Sequence, residues 1–457
     1  YVDGNISGSI SSTGSFGMIT TPSDISGKPA ARLHKFAFLR ASDHGDNSTS
    51  AFSGLSGNTI FGYDAGSQIA QNNAAGHSNT FIGHYAGHGN TTGDENTFIG
   101  HIAGGTSGTG NNNVFVGSYV GYNNVSNSDS VFIGKNSGFN QRSGSNNVGI
   151  GPYSFYTSRG ASQNTIIGSF AGYNVTTGTG VVGLGYKAGY ANKGQGSWIA
   201  IGYEAMGGTA GTNEAAGIAI GYRSMFVAMD GSSGVAVGNS ALENLVGGNS
   251  TALGDEAGRY ATGSFNTFVG RSAGKGGTTS APFSSGTYNV AMGYNALLAF
   301  TTGERNVAVG QSALGNVTTG YRNVSIGDRA NVGVSTGHSN VSIGYLAGYG
   351  GHTSGNVAIG AEALFTANGS ANVAVGMEAG RYTTANDGVW VGKSAGSTGA
   401  GGGQSVIVGY YAGRYIVGNQ VVHVGRNAGY YATGSYNTFV GDSAGYGGTT
   451  SAPYSSG

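Results

Sequence analysis

The sequence predicts an all-β fold, a parallel β-solenoid of about 23 coils, and three observations predict it. The phrase Asn79-Thr80-Phe81-Ile82-Gly83 returns as Asn96-Thr97-Phe98-Ile99-Gly100, seventeen residues later. Blocks of the same form (polar, Val/Thr/Ile, any, aliphatic, Gly) place 23 anchor glycines between Gly62 and Gly441, with seven consecutive intervals of 17 from Gly83 to Gly202. The 457 residues include 91 glycines, five prolines and 9 % charged side chains, far from globular usage, yet 27 tyrosines are too many for a solvated disordered tract. A strict short period in such a chain is the signature of stacked coils, and a repeat near 17 is too short for helical units.

Each part of the repeat has a physical reading. The apolar residue before each glycine and the Val, Thr or Ile two earlier alternate with period two, which predicts a short strand with these two side chains facing inward. The residue between them is Phe81, Phe98, Phe115, Phe132, Ile166, Phe268, Trp390 or Phe439, or in many coils alanine. On that assignment it faces outward and forms a second apolar face, which association of three copies about a long axis would bury. The glycines, among them Gly83, Gly100, Gly117, Gly134, Gly310, Gly327 and Gly344, are read as corners. Three residues later the side chain is small in every coil but that of Val120, which predicts a position with room for nothing larger. After the corner come a short second segment such as "HYAG" and a polar turn such as "HGNTTG".

Four residues before the glycine stands asparagine in 14 of 23 coils, including Asn79, Asn96, Asn113, Asn306, Asn323, Asn340, Asn356 and Asn372. Stacked coils turn such a row into a hydrogen-bonded amide ladder. At strand spacing, 22 steps make a shaft of about 105 Å.

Two units are expected: residues 1–56, without the glycine anchor, as an attachment or capping segment, and residues 57–457 as the shaft. The first contains "ARLHKFAFLR", and solenoids need their open strand edges covered at the ends. A larger duplication repeats residues 259–286 at 430–457 with 23 of 28 positions identical, and "GGTTSAP" in both copies predicts loop insertions near 275–286 and 446–457. The missing initiator methionine and an end inside a repeated phrase read as a piece of a longer chain.

Twenty basic and twenty acidic residues cancel and neither sign clusters, which argues against nucleic acid. No run of eighteen apolar residues predicts a membrane span, and no cysteine provides a disulfide or thiolate site. Glu362 and Glu378 occupy equivalent places in adjacent coils, the pairing that glycoside hydrolysis needs. The same slot holds Asp64, Lys187, Glu204, Arg223, Glu256 and Arg329 elsewhere, so it is read as solvent-facing, with Lys187 and Glu204 as a cross-coil ion pair. His84 and His101 follow successive anchors, near His77 and His88, and are the weak candidates for a metal; Tyr63, Tyr186, Tyr203, Tyr222, Tyr294 and Tyr345 fill that slot elsewhere, which favours ring stacking or contact with a sugar face. "GVWVGKS" at 388–394 has three residues between its glycines where a phosphate loop needs four, and no calcium nonapeptide, Ser/His/Asp set or Thr-x-Thr rank of an ice-binding face occurs. No catalysis and no cofactor are expected.

"NVAIGAEAL" at 356–364, "NVAVGQSAL" at 306–314 and "NVAMGYNAL" at 289–297 resemble the head repeat of YadA-like trimeric adhesins, over residues 57–457. The resemblance implies a left-handed parallel β-roll buried against two further copies; the family's repeat is shorter than 17, which implies longer outer turns here. "DGNISGSISSTGSFG" at 3–17 is similar to low-complexity segments of tail-fibre proteins of marine tailed phages. Together these imply a homotrimeric structural fibre in a virion that mediates host attachment, with tail or baseplate proteins bound through the N-terminus and a host-surface glycan or protein as target. The alternative is a bacterial surface adhesin or extracellular filament of the same fold.

Overall fold

The computed structural model describes the backbone of residues 39–40 and residues 57–69, 76–193, 196–208, 216–227, 233–277, 283–350, 353–366, 368–398 and 402–447. The rest of the expected N-terminal segment, and residues 278–282 and 448–457 of the loops expected near 275–286 and 446–457, lie outside the described residues.

Twenty-three parallel strands, from β2 (Thr59–Phe61) to β24 (Thr438–Val440), each end one residue before an anchor glycine and pair only with the coils before and after. Registration is position for position: Thr80↔Thr97, Phe81↔Phe98, Ile82↔Ile99. The described residues contain no helix. A two-residue strand, β1 (Leu39–Arg40), lies antiparallel to β2 on the outer edge of the first coil.

The strand faces are the reverse of the expectation. The central residue of each strand points inward: Phe81, Phe98, Phe115, Phe132, Ile166, Phe268 and Trp390 are fully buried, while Ile82, Ile99 and Ile133 beside the glycine keep more than a third of their surface exposed. The Phe81, Phe98, Phe115 and Phe132 rings stack along the axis at 5.1, 4.7 and 5.4 Å. Period two alone cannot say which of two apolar rows faces in. A pairing across the corner decides it. Where the central residue is large, the residue four after the anchor is glycine, as in Phe98 with Gly104 and Phe115 with Gly121; a Cβ on those glycines would lie 2.5 and 2.6 Å from the rings. Where it is alanine, that later residue is often large and buried, as in Ala291 with Leu297, Ala308 with Leu314, and Ala358 with Leu364. Both sites fill one shared volume per coil, so each coil holds about one large core group. The small residues three after the anchor, such as Ala86, Ala103 and Ala313, line the same interior.

Two backbone devices turn the chain. The anchor glycines hold φ near +130°, and a Cβ on Gly83 would stand 2.3 Å from the Gly100 carbonyl oxygen, so coils approach there closer than any side chain allows. Two residues on, every coil places a non-glycine residue in the left-handed region, including Tyr85 (φ 58°), Ile102 (φ 54°), Lys187 (φ 53°) and Glu378 (φ 58°). Such a conformation costs roughly 1 kcal/mol per residue, and hydrogen bonds between coils offset it, for example Tyr85 N–H to Tyr63 O at 2.8 Å and Ile102 N–H to His84 O at 2.8 Å. The residue types there vary freely, so no composition signal announced this strain.

The asparagine row stands just before the strand in 14 of the 23 coils. Asn79 Oδ1 accepts the Asn96 backbone N–H at 2.8 Å while Asn79 Nδ2 donates to the Gly93 carbonyl at 2.9 Å. The side chain thus supplies both hydrogen bonds of a strand pair to the next coil. Amide-to-amide bonds such as Asn113 Nδ2 to Asn96 Oδ1, 3.0 Å, run beside these. Ser130, Ser250 and Ser405 stand in for asparagine and accept the next coil's N–H at 3.0–3.2 Å. Where Trp198, Gly217 and Gly234 occupy the row, the backbone pairs there instead (Trp198↔Gly217, Gly217↔Gly234), and β11 (Ala216–Ile220) and β12 (Ser233–Val237) lengthen to five residues.

Candidate functional site

Three surfaces follow from this geometry. The first is the strand face. Its two outward positions hold only Phe, Ile, Leu, Val or Met beside the anchor and only Thr, Val or Ile three before it, in all 23 coils. Exposed members run the length of the shaft: Ile82, Ile99, Ile133, Ile167, Leu253, Met292, Ile326, Ile359 and Val375. The strip is about 105 Å by 7 Å, roughly 700 Å² of uncharged surface, more than the largest apolar patch of a typical monomer.

The second is the slot around and after the corner, where the charged residues lie. Arg381 reaches both Glu362 and Glu378, at 3.4 Å from the latter, so the paired carboxylates share a guanidinium. Glu256 accepts from Lys275 at 2.7 Å and from Arg259 at 2.5 Å; the hydrogen bond from Lys275, then that from Arg259, holds its carboxyl below the usual range against the opposing effect of burial. Arg223 faces Glu204 at 3.8 Å and Glu243 at 3.2 Å. The Lys187–Glu204 pairing expected from sequence is replaced: Lys187 lies over the Tyr186 and Tyr190 rings at 5.3 and 5.6 Å.

His84 and His101 stack at 5.2 Å with planes 14° apart, and Tyr63 covers His84 at 5.3 Å. Near-parallel rings keep their nitrogen lone pairs in near-parallel planes, whereas imidazoles on one metal ion aim at a common centre. Among the described residues no group of three or more His, Asp or Glu converges to hold a metal.

The third surface is aromatic. Tyr186, Tyr203 and Tyr222 stack at 5.1 and 5.4 Å. A second row, five residues after the anchor and absent from the sequence expectations, runs Tyr122, Phe139, Tyr156, Tyr173, Tyr190 at 4.8–5.2 Å. Its signal was an aromatic at a fixed offset in five successive coils. Rings in these rows cover one another's faces and present edges and hydroxyls to solvent, so a free face for a sugar exists only at row ends.

Concavities also mark the surface of the described residues. One, of about 400 Å³, is polar and lined by Asn386, Asp387, Gln404, Asn419 and Gln420 among others; Gln420 Nε2 donates to Gln404 Oε1 at 3.0 Å. Another, of about 250 Å³, lies between Tyr85, His88, Ile102 and Tyr122. A buried titratable group lies elsewhere: His423 occupies a core position between Ile407 and Phe439, neither ring nitrogen has a hydrogen-bond partner, and burial pushes its pKa down to about 4.

No helix among the described residues is long and apolar enough to cross a membrane. Compared with protein-family models and with curated proteins, the chain matches none.

Proposed function

We propose that this chain is the shaft of a homotrimeric fibre that works by length, rigidity and multivalent presentation, as a phage tail fibre carried on the virion and mediating host attachment. The observation that carries the reading is the strand face, two uncharged, mostly apolar rows that stay exposed or half-buried through 23 coils. A continuous strip of this kind calls for burial along its whole length, and in-register copies of the same chain offer a partner with matching pitch. The trimer therefore closes on the residues one and three before the glycines, not on the phenylalanine row. Residues 1–56 attach the fibre to tail or baseplate proteins, and the surfaces away from the strands face the host glycan or protein. We read no catalytic role: Glu362 and Glu378 are neutralised by Arg381.

The likeness of "NVAIGAEAL" to YadA-like heads favours a second reading, a bacterial surface adhesin or filament built the same way. Electron imaging of the particle or cell that carries the chain, labelled with an antibody raised against it, separates the two. Label on fibres radiating from a virion tail is expected; label on a cell envelope or on free filaments would replace the phage reading with the bacterial one.

A further inference from the structure

The aromatic row five residues after the anchor has a missing rung. Tyr122, Phe139, Tyr156, Tyr173 and Tyr190 stack without a gap, and His88 holds the same slot two coils before Tyr122. Between them stands Gly105. Two coil steps separate the His88 and Tyr122 levels, about 9.6 Å, the span that a ring at the Gly105 position would bridge. What remains is the 250 Å³ cleft, walled by Tyr85, His88 and Tyr122 and floored by Ile102 and Gly105.

The walls are held in place. Thr106 Oγ1 donates to the Tyr122 carbonyl at 2.7 Å, His88 Nδ1 pairs with Ser67 Oγ at 2.6 Å, and Tyr85 packs edge-on against His88 at 5.2 Å. These bonds occupy the Thr106 hydroxyl and a His88 ring nitrogen, so fewer polar groups are left to satisfy the several hydroxyls of a sugar. The next coils display the group that suits the slot, since at the same offset the chain places aromatic rings face to face at about 5 Å.

We propose that the cleft over Gly105 binds an aromatic side chain, a phenol or indole, presented by a partner polypeptide and completing the ring stack. None of the lining residues belongs to the strand face, so the site stays open in an assembly built on that face, and the proposal does not rest on the fibre reading.

The test is saturation-transfer NMR on the full chain with p-cresol and methyl β-D-glucopyranoside as probes, on the wild type, Gly105→Tyr and Tyr122→Ala. Tyr122 and Tyr156 stand at equivalent places in other coils, but a Cβ on Gly105 would meet the Ile102 and Tyr122 side chains at 2.8 Å, so both must shift to admit a tyrosine. For a fragment of eight heavy atoms a Kd on the order of 1 mM is expected, weakened about tenfold or more in Gly105→Tyr, which supplies the missing ring itself, and also in Tyr122→Ala, which removes a wall. Should Gly105→Tyr fail to fold, the Tyr122→Ala comparison alone decides. Absence of p-cresol binding to the wild type, or equal binding to the folded variants, overturns the proposal. So does a glucopyranoside signal that Gly105→Tyr removes, which would make the cleft a sugar site.

Discussion

Asn323 Oδ1 accepts the backbone N–H of Asn340 at 3.0 Å, and the same side chain donates through Nδ2 to the Gly337 carbonyl at 2.9 Å. One amide thus closes both backbone groups of the following coil inside a buried row. Replacing Asn323 by alanine strands a buried donor and a buried acceptor, and we expect a loss of about 2–4 kcal/mol. Asn323→Ser keeps an acceptor, as Ser130, Ser250 and Ser405 do, and should cost about half as much. Thermal melting of the two variants checks the order; equal melting temperatures would remove the asparagine row from the account.

The shared core volume makes a sharper prediction. Phe115→Ala should destabilise by about 3–5 kcal/mol, because the ring is fully buried between Phe98 and Phe132. Adding Gly121→Leu copies the Ala308 with Leu314 arrangement, whose Leu314 already holds φ 51° where Gly121 holds 57°. Most of the loss should return, a coupling of about 2 kcal/mol or more in a double-mutant cycle. Gly121→Leu alone should be disruptive, since its Cβ would lie 2.6 Å from the Phe115 ring.

His423 gives the shaft an acid-sensitive coil. Its folded pKa of about 4 lies below the ordinary 6.5, so between these values the unfolded chain binds the proton and the folded chain does not. Stability contributed by the neutral ring is complete above about pH 6.5 and is lost as pH falls toward 4, by about 3 kcal/mol in total. His423→Phe, matching its neighbour Phe439, should flatten melting temperature against pH over that window. An unchanged profile would show that His423 does not carry the dependence.

Period, strand position, corner glycines and small interior residues could all be read from the chain because each repeats at a fixed offset from Gly83, Gly100 and their equivalents. The direction of the faces could not. Phe98 and Ile99 are both large and apolar, and period two assigns them to opposite sides without saying which side is inside. The deciding pattern, glycine after Phe98 at Gly104 but leucine after Ala308 at Leu314, was present in the sequence and becomes a packing rule only once the corner folds both positions into one volume. The left-handed residues Tyr85 and Ile102 had no such pattern, because coil-to-coil hydrogen bonding sets their backbone and their side chains are free to vary. Lys187 and Glu204 were paired by offset alone, whereas Arg223 beside Glu204 and the rings beside Lys187 offered better partners.

The central claim is that the uncharged strand face exists to be buried against further copies. Sedimentation equilibrium of the full chain tests it, on the wild type and on Ile326→Glu, which places a charge in the exposed row without touching the core. The account predicts a wild-type mass three times the 45.5 kDa of the chain and a shift toward the single-chain mass in the variant. A monomeric wild type, or a trimer indifferent to Ile326→Glu and to a second charge at Ile359, would contradict it.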